Sequence, residues 1–400
     1  MGAGARLFFG NDGSVAMADE FYEIPSLSLP EDFETFRHPL ARTRLSEPQF
    51  WDGYDRTTLI YDAVYIADDN ILRIFCPNPV NLVPILLRGT FSIDGTGARP
   101  ERVRGQGQFW TLDFRVSASP KRFGLQYRHL SFDAPVNATN GRDFAGKNCL
   151  YSMVKNGDPK WIHDWALFHR NAQGANAAVV VNNGSRDFTS GDIAAALRDA
   201  GLTTVRVVEA PLRYGPVSGA RRGLGRAKFL QVAMMNHMRD TLLRDARAVL
   251  PVDIDELVVS ETGESIFDHA VRRRSGYVTI PGRWRHSGGQ ESRPRHASHR
   301  FRDPQEERCE PKYCIVPGSV LGRWVWGVHS LAAVPRNLFR GRGFHFLHCR
   351  QISTSWKFAR AFDADRALEA DPAAGALLGR FLPAMSSEAP PMRAAREDAA

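Results

Sequence analysis

The stretch "VLPVDIDELVVS", residues 249–260, sets Asp253 and Asp255 two positions apart, with Glu256 beside them and apolar runs on either side. Burying a carboxylate is costly unless something compensates its charge. Side chains two apart on a strand share a face, and at a strand end they can converge on one cation. Hard divalent ions such as Mg²⁺ or Mn²⁺ prefer oxygen ligands, commonly one or two carboxylates together with phosphate oxygens. The chemistry suggested is metal-assisted handling of a diphosphate. A solvated turn after a strand is the plainer reading of the same three residues. Two more polar clusters follow apolar runs in the same way, Lys155-Asn156 and the run from Asn182 to Asp187, "NNGSRD".

The elements that must position these clusters read as alternating strands and helices from about residue 149. "CLYSMVKN" reads as a buried strand. "PKWIHDWALFHRNAQG" reads as a helix with Pro159 at its start and Gly174 just past its end. "ANAAVVVNNGSRD" is a strand and its exit turn. "SGDIAAALRDAG" is a helix with Ser190 as its N-cap and Gly201 closing it. "TTVRVVEAP" and "ARAVLPVDID" are further strands, separated by the helix "GRAKFLQVAMMNHMRDTLL", whose methionines are core filler at helical spacing. Such alternation implies an α/β domain with a mostly parallel sheet, and ligands bind at the carboxyl ends of such strands. All three polar clusters fall there. Upstream, 56–145 holds short β-branched and aromatic runs separated by Gly, Pro, Asn and Asp, the pattern of a small β-sandwich. The expected organisation is an irregular segment over 1–55, a β-sandwich over 56–145, the α/β domain over 146–360, and a C-terminal helix with a flexible tail over 361–400.

Bulk properties narrow the class. The 400 residues are 43% hydrophobic and 24% charged, as in an ordinary globular protein of two domains. The apolar runs, such as "LVPILL", are too short to span a bilayer, and the start shows no secretory signal. Five cysteines make no disulfide framework and fit a reducing cytoplasm. The net charge of +8 is mostly arginine, whose planar fork suits phosphate and leaves peripheral contact with an anionic membrane open. No RNA-binding aromatic motif or zinc-finger spacing points to nucleic acid.

The ordered motifs of 149–360 resemble GT-A fold glycosyltransferases, in particular those of family 2 and the family 92-like group. "KNGDPKWIHDWALFHRNAQGA" is similar to that group's opening K-N-E, W-x-x-E/D-W-x-x-(Y/F)-H stretch, matched at Lys155, Asn156, Trp161, Asp164, Trp165, Phe168, His169 and Gly174. "VDIDEL" resembles its metal motif, "RWRHSGGQ" its W-x-x-F-G-S-S-G loop, "KYCIVP" its K-S-I-V-R-P segment, and "FHFLHCRQISTSWKFAR" its closing region. The chain departs at Gly157, where the family has an acid, at Asn182-Asn183, where family 2 has two aspartates, and at His286, which replaces an aromatic.

The resemblance implies a GT-A domain that transfers sugar from a nucleotide-diphosphate donor, a uridine diphosphate sugar with inversion, to a hydroxyl of a glycan, lipid or other acceptor. Lys155, Asn156, Asn182 and Asp187 would hold base and ribose. Asp255 would bind Mn²⁺ or Mg²⁺, with Asp253 on the metal or the ribose, and Lys357 would close over the diphosphate. His348 is the third metal-ligand candidate, with His345 its competitor; Glu256 either braces its neighbours or is structural. Trp284, His286 and Ser287 would meet the acceptor. Asp303, Glu291 and Glu307 are the candidates for the catalytic base. Two rival readings stay open: a non-catalytic glycan-binding or degenerate transferase, and a phosphatase of the haloacid dehalogenase type, against which Leu257 stands at the motif's fifth position.

Overall fold

The computed structural model describes residues 20–39, 48–139, 142–216, 228–289, 293–305, 309–335, 337–352 and 367–382. Its centre is a nine-stranded sheet. In chain order the strands are β1 (Phe21–Glu23), β2 (Asn148–Val154), β3 (Ala177–Asn182), β4 (Thr204–Glu209), β5 (Ala248–Pro251), β6 (Glu256–Ser260), β7 (Tyr277–Arg285), β8 (Cys309–Ile315) and β9 (Phe344–Cys349). The spatial order is β1-β4-β3-β2-β5-β8-β7-β9-β6. The first five strands in that order pair parallel, as do β7 and β9; β5–β8, β8–β7 and β9–β6 pair antiparallel. This is the α/β class with a mostly parallel sheet that the sequence suggests.

Alternation along the strands explains why both faces are covered. Leu150 and Val154 of β2 face one core with Val180 of β3, packed under α1 (Pro159–Gln173) and α2 (Ser190–Asp199). Cys149, Tyr151 and Met153 face the other core, under α3 (Phe229–Asp240), whose Met234, Met235 and Met238 fill it. Helix α1 is bounded as its sequence suggests. The Asp158 side chain accepts from the Lys160 N–H at 2.9 Å, and Gly174 closes the helix at φ 72°. The cap of α2 differs from the expectation. Thr189 holds the N-cap, in a reciprocal capping box with Asp192, because Ser190 turns its hydroxyl to Asn182.

Two smaller sheets lie within 62–139. One joins Asn137–Thr139, Asp62–Ile66, Ile71–Pro77, Phe109–Arg115 and Arg102–Gln106; the other joins Leu130–Pro135, Arg122–Tyr127, Thr90–Ile93 and Thr96–Ala98. Leu72, Ile74, Leu112 and Phe114 of the first share a core with Phe91, Phe123 and Leu125 of the second. The first 55 residues are not wholly irregular, since β1 adds an edge strand beside β4. Helices α4 (Ile266–Arg272) and α5 (Pro372–Phe381) add Ile266, Phe267, Ala374 and Leu378 to the core that holds Leu150 and Val154.

Candidate active site

The parallel pairing of β2 with β3 and with β5 sets their carboxyl ends along one sheet edge, so Lys155-Asn156, 182–187 and 252–255 emerge together. The Asp253–Asp255 pair is not on the strand. Strand β5 stops at Pro251, and residues 252–255 form a turn closed by the Glu256 N–H donating to the Asp253 carbonyl at 3.0 Å. The chain then passes from the middle of the sheet to its far strand, β6.

The cation that compensates these acids is Lys312, on β8. Its Nζ lies 2.6 Å from Asp253 Oδ2 and 3.1 Å from Glu256 Oε2, and its side chain is 2% exposed. Glu256 Oε2 also accepts from the Asp253 N–H at 2.8 Å. Burial works to discharge Lys312, but the Asp253 and Glu256 charges outweigh it and raise its pKa. Burial pushes the Glu256 carboxyl up to about 7, against the pull of Lys312 and with a further push from Asp253.

Asp255 has a different partner. His348 Nε2 sits 3.1 Å from Asp255 Oδ2, brought there because β9 runs antiparallel to β6 and sets His348 opposite Glu256. The side-chain ligand atoms of Asp255, Glu256 and His348 lie within 4.8 Å of one another, all three residues buried. Two carboxylate oxygens and one imidazole nitrogen are a donor set that suits Mn²⁺ or Mg²⁺. Asp253 is not in that group; its carboxylate faces Lys312. His345, the alternative histidine, points to Glu261 at 3.1 Å. The imidazole of His348 is fixed from behind by Trp284, stacked at 3.8 Å between ring centroids and 16° between planes, and Arg350 lies over the same indole.

The loop that follows β7 closes against the acid turn. Arg295 forms a bidentate pair with the buried Asp164 of α1, and the Trp161 indole N–H donates to the Pro294 carbonyl at 3.0 Å. Burial would raise the Asp164 pKa, but Arg295, His163 and His296 hold it well below the usual carboxylate range. His296 Nε2 donates to the carbonyl of Ile254, between the two aspartates, at 2.8 Å. Thus Trp161 and Asp164, which the sequence offers only as parts of a motif, position 293–299 over the site.

On the other side, Asn156 adopts φ 53°, donates its N–H to Ser185 Oγ at 2.8 Å, and accepts from Arg186 N at 2.7 Å and Asp187 N at 3.4 Å. Asn182 donates to Ser190 Oγ at 2.8 Å and accepts from Ser185 N at 3.0 Å, so its amide shapes the loop itself. Asn156, Asn182 and Asp187 are therefore one hydrogen-bonded unit, with Lys155 half-buried beside it. Ser287 and His286 are buried; the Ser287 N–H donates to Gln351 at 3.1 Å, and His286 exchanges backbone hydrogen bonds with Phe301. Asp303 is half-buried, and its Oδ1 accepts from Gln305 N at 2.9 Å. Glu291, Glu307 and Lys357 lie outside the described residues. Lys312, Gln351 and Arg295 were not singled out from the sequence. For Lys312 there was a signal: a lone cation in the apolar run "KYCIV", whose neighbours at 313–315 are fully buried.

No protein-family model and no curated protein matches the chain. Among solved structures it is similar to S. aureus TarS 1–349 in complex with UDP, at 19% identity over 38% of this chain and 39% of that one, with a TM-score of 0.24. It is also similar to the galactosyltransferase LgtC in complex with donor and acceptor sugar analogues, at 14% identity over 42% and 57%, TM-score 0.25. A third is the mannosyltransferase Ktr4p from S. cerevisiae, at 12% identity over 35% and 39%, TM-score 0.24. The chain spans 39–57% of the length of these structures.

Proposed function

We propose that the chain is a metal-dependent glycosyltransferase that moves a sugar from a nucleotide-diphosphate donor, a uridine diphosphate sugar, to a hydroxyl of a glycan or lipid-linked acceptor. The observation that carries this is the buried Asp255–Glu256–His348 group, formed across 93 positions of chain at the carboxyl edge of the sheet. Asp255, Glu256 and His348 would hold Mn²⁺ or Mg²⁺, which when bound neutralises the departing diphosphate as a Lewis acid. Lys312 fixes the acid turn by tying Asp253 to Glu256. Trp284 fixes the ring of His348. Asn156, Asn182 and Asp187, with Lys155, hold the base and ribose, and Lys357 meets the diphosphate. Trp284, His286 and Ser287 face the acceptor, and Asp303, or else Glu291 or Glu307, takes the acceptor proton. Buried thiols at Cys76, Cys149, Cys314 and Cys349 suit a cytoplasmic setting. Among the described residues no helix is long and apolar enough to cross a membrane. The net charge of +8 supports peripheral contact with an anionic inner membrane face.

The test is a calorimetric titration of nucleoside diphosphates with and without Mn²⁺. Metal-dependent binding of UDP is expected. A ligand at a hundred times its Kd adds about 2.7 kcal/mol to apparent stability, so a thermal shift should accompany it. Asp255→Asn should abolish the metal dependence while leaving folding nearly intact; His348→Ala should weaken it less, because water replaces one neutral ligand. Unchanged metal-dependent affinity in Asp255→Asn would defeat the proposal.

A further inference from the structure

A cavity of about 250 Å³ lies beside the acid turn, lined by Ser287, Gly288, Gly289, Ser298, Arg300 and Phe301. Two hydrogen bonds locate it. Ser287 follows β7 and is held to Gln351, just past β9, at 3.1 Å. The 296–298 turn on the other wall hangs from the Ile254 carbonyl through His296. The cavity is therefore bracketed by the two segments that supply Asp255 and His348.

Its walls are arranged for an anion. Six arginines occur at 283, 285, 293, 295, 300 and 302. Among the described residues five have a carboxylate partner: Glu261, Asp371, Asp158, Asp164 and Glu369 in turn. Arg300, an exposed residue that lines the cavity, has none among the described residues; its Nε donates to the Ala297 carbonyl at 3.2 Å. Ser287 is 2% exposed, and its Oγ is buried with no hydrogen-bond partner among the described residues, a cost that a ligand acceptor would remove. Gly288 and Gly289 leave bare backbone along one wall. Gly289 sits at φ 77°, and a Cβ on Gly288 would meet the Phe301 ring at 3.2 Å. The Phe301 ring supplies an apolar face.

We infer that this cavity is an acceptor subsite for a sugar bearing an anionic group, a carboxylate or a phosphate, with Arg300 as its charge partner and Ser287 Oγ as a donor. The inference rests on the transferase reading for the word acceptor, and not for the binding itself. Arg300 and Ser287 thus determine specificity: a neutral sugar would leave the guanidinium without a counter-charge.

Binding of glucuronate, glucose 6-phosphate and glucose is measured by saturation-transfer NMR on the full chain and on Arg300→Gln, Arg300→Lys and Ser287→Ala. At least one anionic sugar is expected to bind about tenfold tighter than glucose, the effect of one charge-assisted hydrogen-bonded pair. Which of the two binds identifies the anion. Arg300→Gln should erase the preference, Arg300→Lys should keep part of it, and Ser287→Ala should weaken both anions. Equal binding of glucose and both anions, or a preference that survives in a folded Arg300→Gln, overturns the inference. Metal-dependent UDP binding is titrated in parallel. Its absence with the anion preference intact refutes the transferase reading alone, and its presence without the preference refutes the subsite alone.

Discussion

Asp253 and Glu256 are held by Lys312, 59 positions beyond Asp253, and that pairing carries the first prediction. Lys312→Met leaves Asp253 and Glu256 without their cation, and breaking a buried pair from one side costs about 3–5 kcal/mol. The double variant Lys312→Met with Glu256→Gln should recover much of that loss, because one buried charge is removed. Urea unfolding of the three proteins checks this; equal stability of the two variants would show that Glu256 does not depend on Lys312. A second prediction concerns pH. Burial depresses His169 to about 3, and burial with the charge of His296 depresses His299 to about 3. The unfolded chain protonates both below about 6.5 while the folded chain does not, so the unfolded state binds more protons. Stability is therefore fully present above about pH 6.5 and falls as pH drops toward 3, by up to about 1.4 kcal/mol per pH unit for each histidine. His169→Gln should flatten the slope between pH 6.5 and 4 by about one proton; an unchanged slope would mean that His169 is protonated in the fold.

At the level of elements, β6 closes the sheet, and its outer edge is not left open. His169 Nδ1 donates to the Trp165 carbonyl, so its Nε2 accepts the Val258 N–H at 3.1 Å. Gln173, one helical turn on, donates to the Val258 carbonyl at 2.9 Å and accepts from Ile266 N at 2.8 Å. Helix α1 thus serves the edge strand as a neighbouring strand would. Gln173→Ala strands a buried carbonyl and a buried N–H and should cost about 2–4 kcal/mol. Amide exchange should quicken at Ile266 well before Val258, which keeps His169; the reverse order would sink the assignment. The strands and α1 were legible in the sequence because their signals are local: period-two apolar runs, Pro159 at a first turn, Gly174 beyond a last. Asp255 and His348 were legible through motif resemblance. Lys312, Gln173 and Arg295 were not, because their meaning lies in partners 56 to 131 positions away that only the sheet order brings near. The Ser190 cap failed for a related reason. Ser190 and Thr189 are both good caps, and only the position of Asn182 in space decides between them.

Across the whole molecule, the strands of 62–115 are joined to the large sheet by buried charge as well as by apolar packing. Arg73 grips Asp113 with two bonds, at 2.7 and 2.9 Å, and reaches Asp240 of α3 at 2.9 Å. Asp62 is fully buried and accepts from Tyr22 at 2.7 Å, from His237 of α3 at 2.8 Å and from Asn137 at 3.1 Å. Tyr61, Val64 and Phe75 share a core with Met153, Val181 and Met234. Parting this interface exposes apolar surface and breaks the Arg73–Asp240 and His237–Asp62 pairs at once, which disfavours a partly open form. Calorimetry should therefore record one transition, with calorimetric and van't Hoff enthalpies in agreement. Asp62→Ala leaves the buried Tyr22 hydroxyl and His237 Nε2 without an acceptor and should lower stability by about 3–5 kcal/mol. The informative quantity is the shape of the melt. If the sandwich and the α/β region are one cooperative unit, Asp62→Ala shifts a single peak downward. Two resolved peaks in the native chain would mean that the sandwich is a separately folding appendage. Two peaks appearing only in Asp62→Ala would mean that this one carboxylate couples the two regions.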